Sequence, residues 1–165
     1  MKESKDIITL VRNRFGSEIV SADPSSDIPT IVIGSSSVYE VIEYLKNNPD
    51  TDFNFLTDLC GIHYPDTELP LGIVYHLHNL VKNKRLRIKT FVPLDKPEVT
   101  TITPLFSAAN WMERETYDFY GIIFTGHPNL KRILNVEYLD FFPMRKEYPL
   151  EDPTREDKDN RFFGR

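Results

Sequence analysis

Cysteine is nearly missing from this chain: Cys60 stands alone among 165 residues. One thiol excludes an intramolecular disulfide, and it cannot supply the ligand sets of a zinc ribbon or an iron–sulfur cluster. Long apolar runs are missing too. The longest are a few residues, against the roughly 20 that a membrane-spanning helix needs. No apolar stretch of secretory type follows the charged start Met1-Lys2-Glu3-Ser4-Lys5-Asp6. The expectation is a soluble chain that meets a membrane only through partners. Positive charge is not in excess: 20 Lys+Arg face 25 Asp+Glu, a net charge of -5. That argues against nucleic acid as a partner, because phosphate binding favours a basic domain. Phosphate loops, dinucleotide fingerprints and catalytic triads are also lacking. The chain is therefore expected to hold no catalytic, cofactor-binding or metal-ligating residue.

Forty per cent of the residues are hydrophobic and 12% aromatic, enough for one well-packed domain. Residues 4–15 show an apolar side (Ile7, Ile8, Leu10, Val11, Phe15) and end at Gly16, as a helix does. Glu18-Ile19-Val20 is a short strand, Ser21 to Pro29 reads as turns, and the β-branched run Thr30-Ile31-Val32-Ile33 is a second strand. Ser37 and Glu40 have the spacing of a capping box before a helix carrying Val38, Val41, Ile42 and Leu45. Asn47-Asn48-Pro49-Asp50 stops it.

Three more strands follow. Phe53 to Ile62 is the first. In the second, Ile73, Tyr75 and Leu77 alternate with Val74, His76 and His78. In the third, Leu86, Ile88 and Thr90 alternate with Arg85, Arg87 and Lys89, and Asn79 to Lys84 is the hairpin between them. Such alternation marks antiparallel strands with one wet face. A last helix is expected to start at Thr103-Pro104, to bury Leu105, Ala108, Ala109, Met112, Thr116, Phe119 and Tyr120, and to end at Gly121. The order implies an α+β fold in two layers: a mixed sheet of about five strands with helices on one face. Residues 1–142 form that domain. Residues 143–165 read as an extended charged arm, with six basic and six acidic side chains between 144 and 165 and few aliphatics.

The stretch from Asn110 to Leu134 contains Trp111-Met112-Glu113-Arg114-Glu115, then Asp118, Tyr120-Gly121-Ile122, Phe124, Gly126-His127-Pro128 and Lys131-Arg132-Ile133-Leu134. It resembles the defining segment of the C-type subunit of respiratory complex I, close to W-x-E-R-E-x-x-D-x-(F/Y)-G-I-x-F-x-G-H-P-D-L-R-R-I-L. Pro143-Met144-Arg145-Lys146-Glu147-Tyr148-Pro149 resembles the same family's P-L-R-K-D-Y-P, and Val74-Tyr75-His76-Leu77 its V-Y-H-L. Together the likeness runs from about Ile7 to Pro149. Asn129 departs from the usual Asp and Lys131 from the usual Arg; Leu139 and Phe141 occupy the region where the family often has Trp and Gly.

The resemblance implies a non-redox assembly subunit of the peripheral arm of a proton-translocating NADH:quinone oxidoreductase. It would dock on the large D-type subunit near the quinone site, at the cytoplasmic face of the inner membrane. NADH, FMN, Fe-S clusters and quinone would belong to partner subunits. The related alternative is the equivalent subunit of a membrane-bound hydrogenase or another complex I-like assembly. A more distant one is a nucleic-acid-binding α+β domain using Arg85, Arg87 and Lys89. Partner contacts are expected at Trp111, Glu113, Arg114, Glu115, Asp118, Gly126, His127, Pro128, Arg132, Arg145, Lys146 and Tyr148.

Each feature also has a plainer reading. The acids of the last helix are compatible with proton handling, with a charged seam against a partner, or with a solvated ion-paired surface in which Arg114 and Asp118 pair at i,i+4. His127 is a poor metal ligand without further donors, and His76 with His78 lacks a third. Cys60 reads as a small core residue.

Overall fold

Periodicity and burial agree along most of the chain. In the computed structural model, which describes residues 2–148, helix α1 (Lys2–Phe15) precedes strands β1 (Ile19–Asp23) and β2 (Thr30–Ile33). Helix α2 (Val38–Asn47) leads to the long strands β3 (Phe55–His63), β4 (Leu71–Asn79) and β5 (Lys84–Val92). Strand β6 (Glu98–Thr100), helix α3 (Ala109–Tyr120) and strand β7 (Ile123–Thr125) complete the elements. A five-stranded sheet runs β1-β2-β5-β4-β3, and β6 pairs with β7 in a separate parallel ribbon. All neighbours in the large sheet are antiparallel except β2 and β5, which join in parallel through Thr30↔Arg87, Ile31↔Ile88 and Val32↔Lys89.

The alternation of β4 and β5 sorts the two faces. Leu71, Ile73, Tyr75 and Leu77, with Leu86, Ile88 and Val92, are buried in one core with Ile7, Ile8 and Val11 of α1 and Val38, Val41, Ile42 and Leu45 of α2. The opposite face presents Asp58, His76 and Arg87 side by side across three strands. Arg87 Nε donates to His76 Nε2 at 2.8 Å, and His76 Nδ1 lies 3.5 Å from Asp58 Oδ2. Arg87 also lies 3.6 Å from Asp27. The central guanidinium of the basic stripe is therefore already engaged within the domain. His78 contacts Asn83 at 3.2 Å.

Several local expectations need correcting. The capping box does not form: Ser37 Oγ donates instead to Glu18 Oε2 at 2.7 Å, and a 3₁₀ turn, Ser35–Ser37, precedes α2. β1 extends through Asp23, into the stretch read as turns. α3 starts six residues later than Thr103, because residues 102–109 close a series of tight turns: Leu105 and Phe106 N–H groups both donate to the Ile102 carbonyl, and Ala109 N–H to that of Phe106. The strands β6 and β7 have no counterpart among the elements expected from the sequence. Cys60 is half-buried and lies outside the core. Burial, with the nearby Asp58 and Glu115 carboxylates, pushes its thiol up to about 11, so it stays protonated.

The third helix lies against β3 at one glycine. A Cβ built on Gly61 would meet the Tyr120 ring at 2.3 Å. Glycine is required there by close approach, since any side chain displaces the ring. Gly61→Ala should lower stability by about 1–3 kcal/mol, the cost of overpacking a filled interior. A urea titration followed by circular dichroism checks this; an unchanged midpoint contradicts it.

Candidate functional site

Helix α3 carries two acids where an amphipathic helix carries apolar groups. Glu113 and Asp118 are both fully buried, alongside Ala109 and Thr116. A buried carboxylate demands hydrogen-bond donors, and each of the two has recruited a different set.

Glu113 holds the preceding segment. Its Oε1 accepts the Ile102 N–H at 2.8 Å, and its Oε2 accepts the Thr101 hydroxyl. Thr101 follows β6 directly, and its own N–H donates to the Thr125 carbonyl of β7 at 3.0 Å. The small ribbon is thereby tied to α3. His127 closes the same corner. Its Nδ1 accepts the Asn129 N–H at 3.0 Å, so Nε2 carries the proton and donates to the Asn110 carbonyl at 3.1 Å. Nε2 lies 4.0 Å from Glu113, and both side chains are shut off from solvent. Burial raises the Glu113 pKa, the Thr101 and Ile102 hydrogen bonds lower it, and burial prevails: the pKa is pushed up to about 7.

Asp118 holds the segment that follows. Its Oδ2 accepts three consecutive backbone N–H groups, from Ile133 (3.0 Å), Leu134 (2.8 Å) and Asn135 (2.9 Å). Its Oδ1 accepts from Arg132 at 2.8 Å and from the Asn135 amide at 3.1 Å. Burial raises its pKa too, but these donors together outweigh burial and hold the carboxyl well below the usual range. Arg132, only 8% exposed, extends the network to the carbonyls of Leu139 (2.8 Å) and Phe141 (3.0 Å). The guanidinium groups of Arg132 and Arg145 both lie over the Phe142 ring, 5.1 and 4.6 Å from its centroid. Arg145 Nε donates to the Tyr120 carbonyl at 2.8 Å, satisfying the end of α3. Gly121, at φ 74°, turns the chain there; a Cβ on it would strike the Phe142 ring.

The i,i+4 pair of Arg114 with Asp118 is therefore not made. Arg114 donates to the carbonyls of Lys131 and Arg132 instead, at 3.1 and 3.2 Å. Of the residues expected at a partner contact, Glu113, Asp118, Arg132 and the His127 ring face inward. Trp111, 60% exposed, stands beside Pro104, Pro128 and Gly126 in a shallow groove. Glu115, Lys146 and Tyr148 are on the surface; Lys146 sits over the Tyr64 ring at 5.6 Å, and Tyr148 against Phe141 at 4.9 Å. Backbone ties continue past residue 142: Met144 N–H donates to Phe119 O at 3.2 Å, and Lys146 N–H to His63 Nδ1 at 2.9 Å. The rest of the expected arm, residues 149–165, lies outside the described residues. Sequence reasoning missed Thr101, Asn135 and Phe142, whose roles depend on contacts distant along the chain. Among the described residues, no group of three or more His, Cys, Asp or Glu is placed to hold a metal.

The two acids predict opposite pH effects. For Glu113, the pKa rises from an ordinary 4.5 to about 7 on folding. The folded state then binds more protons than the unfolded chain between those values, so stability is lost as pH climbs through that window. Glu113→Gln should remove this loss, gaining on the order of 2–3 kcal/mol over the parent chain between pH 5 and pH 8. Denaturant titrations at both pH values read it; a difference that does not change with pH rules it out. Asp118→Ala should strand a buried guanidinium, costing about 3–5 kcal/mol. Amide hydrogen exchange should quicken at Ile133, Leu134 and Asn135 well before it does in β4; uniform protection across those amides would contradict the clamp.

A family model described as "Respiratory-chain NADH dehydrogenase, 30 Kd subunit" matches residues 31–154. One of the NADH-quinone oxidoreductase C-type subunits of Rhizobium etli (strain CIAT 652), the one numbered 2, is 41% identical over 141 residues, covering 85% of this chain and 74% of the relative. The C-type subunit of the NADH-quinone oxidoreductase of Methylobacterium sp. (strain 4-46) is 40% identical over 136 residues, covering 82% of this chain and 63% of its own length. This chain thus spans less than two thirds of the Methylobacterium relative. Among solved structures, the trypsin-resistant fragment of Nqo5 superposes with a TM-score of 0.66 at 28% identity, covering 76% of this chain and 98% of that one. A chain of the membrane-bound sulfane sulfur reductase, an archaeal respiratory membrane complex, shares the fold with a TM-score of 0.75 at 20% identity, covering 95% of this chain and 98% of its own. The matched span runs from within β2 through β7 and takes in both buried acids and the loop that Asp118 holds: this chain belongs to the family of the respiratory-chain NADH dehydrogenase 30 Kd subunit, the C-type subunit of NADH-quinone oxidoreductase.

Proposed function

We propose that this chain is a non-redox assembly subunit of the peripheral arm of a proton-translocating NADH:quinone oxidoreductase. It docks on the large D-type subunit near the quinone site, at the cytoplasmic face of the inner membrane. NADH, flavin, clusters and quinone are held by partner chains. The observation that carries this reading is how the family segment is used. Its buried polar groups are committed to internal scaffolding: Glu113 and His127 secure the turn before α3, and Asp118 and Arg132 secure the loop after it. A segment built to hold its own backbone in shape suits a docking surface better than a reaction centre. A single cysteine in the sequence leaves no thiolate set for a cluster. No helix among the described residues is long and apolar enough to cross a membrane, in keeping with attachment through partners.

The likeness to the sulfane sulfur reductase chain concerns fold alone and does not choose an electron donor. The curated relatives near 40% identity favour NADH. The acidic balance, and the engagement of Arg87 by His76 and Asp27, weigh against a nucleic-acid surface on the open sheet face.

The terminal residues supply a test. Glu151, Asp152, Glu156, Asp157 and Asp159 alternate with Arg155, Lys158 and Arg161, and Phe162 and Phe163 follow. Mixed charge with a few aromatic anchors is the composition of an arm that orders on a partner. A chain cut after Tyr148 should melt cooperatively near the midpoint of the full chain, because the ties at Met144, Arg145 and Lys146 remain. It should no longer co-purify with the large D-type subunit from native membranes. Normal assembly of the cut chain would make the arm dispensable; a full-length chain that purifies without other oxidoreductase subunits would sink the assembly role itself.

A further inference from the structure

Between Ile133 and Phe141 the chain has no regular secondary structure, yet both ends of this stretch are fixed. Asp118 receives the N–H groups of Ile133, Leu134 and Asn135, and Arg132 donates to the carbonyls of Leu139 and Phe141. Within the loop, the Leu139 N–H donates to the Val136 carbonyl at 3.2 Å. The pair that does this holding is almost wholly buried. What the loop carries outward is apolar: Leu134 is 65% exposed, Val136 49% and Tyr138 86%. Three large apolar side chains exposed within five residues on a firmly held loop need an explanation that packing among the described residues does not supply. A mobile loop loses entropy on binding, whereas one held at both ends has lost it on folding, which favours contact with a partner. Tyrosine is also enriched among residues that dominate interface energetics.

We infer that the loop from Leu134 to Tyr138 is a docking ridge, and that its occupant is another subunit of the NADH-quinone oxidoreductase. This rests on the assembly role proposed above and adds the surface through which it acts. The charges on the loop set the partner's chemistry. Glu137 and Asp140 are the exposed ionic groups between Leu134 and Phe141, and both are acidic. The complementary surface is an apolar groove with cationic side chains at its rim. An anionic bilayer is a poor match, because those two carboxylates are repelled by it. The ridge continues into Phe141, which packs on Tyr148 with ring centroids 4.9 Å apart.

The test replaces three exposed residues whose side chains make no hydrogen bond among the described residues. The triple variant Leu134→Ser, Val136→Ser, Tyr138→Ser is expressed as full chain in native membranes beside the parent chain. The isolated variant should melt within a degree or two of the parent, while recovery of the other oxidoreductase subunits with it falls at least tenfold. Equal recovery with parent and variant overturns the ridge and leaves the assembly role standing. Failure of the parent itself to recover those subunits overturns both. Should the variant not fold, p-benzoylphenylalanine at position 138 of an otherwise unaltered chain gives the answer. A photocrosslink to another subunit of the purified complex supports the ridge; one to a second copy of this chain or to lipid overturns it.

Discussion

A carboxylate buried at position 118 would be untenable without donors, and the chain after α3 is arranged around supplying them. Three successive amides turn toward one oxygen, while a guanidinium and a side-chain amide meet the other. The guanidinium, itself nearly buried, needs acceptors in turn and takes them from backbone carbonyls further along. From this one demand follow the path of the loop, the contact of Phe142 with two cations and the contact of residue 145 with the end of the helix. A segment lacking strand or helix is in this way given a defined shape by polar bonds alone.

The contrast with Glu113 shows that burial by itself does not decide protonation. Both acids sit on one helix, and both are closed to solvent. Glu113 has a hydroxyl and one amide as donors; Asp118 has three amides, an arginine and a carboxamide. The number and charge of the donors separate a carboxyl that ionises near neutrality from one that stays ionised in acid. The first is suited to a tie sensitive to its surroundings, the second to a permanent one.

Much of this architecture was legible in the sequence. Alternation in β5 and in the second half of β4 identified both faces, and Gly121 marked the end of α3. The start of α3 was not legible, because Leu105 and Phe106 continue an apolar pattern although their backbone turns tightly onto Ile102. The strands β6 and β7 are three residues each, too short to show a period. The fate of the charges was hidden for a different reason. Spacing along a helix suggests partners four residues away, but Asp118 found its arginine fourteen residues on, past a turn and a strand. Ser37 was likewise claimed by a glutamate nineteen residues back instead of its own helix. Local patterns report local bonds, and buried polar groups choose partners by three-dimensional proximity.

The parallel junction of β2 with β5 has a consequence for how the molecule assembles itself. β3, β4 and β5 are joined by short connections and can zip up as neighbours; β1 and β2 form a separate hairpin with α1 beside them. Three register pairs and the Arg87 N–H bond to the Pro29 carbonyl join β2 to β5, across the long excursion from residue 32 to residue 87. Closing so large a loop before collecting its contacts is entropically expensive, so this seam forms late and opens early. The side chains of Ile31 and Ile33 then share one core with β4 and β5, so the costliest closure in the sheet is also the one that completes its interior.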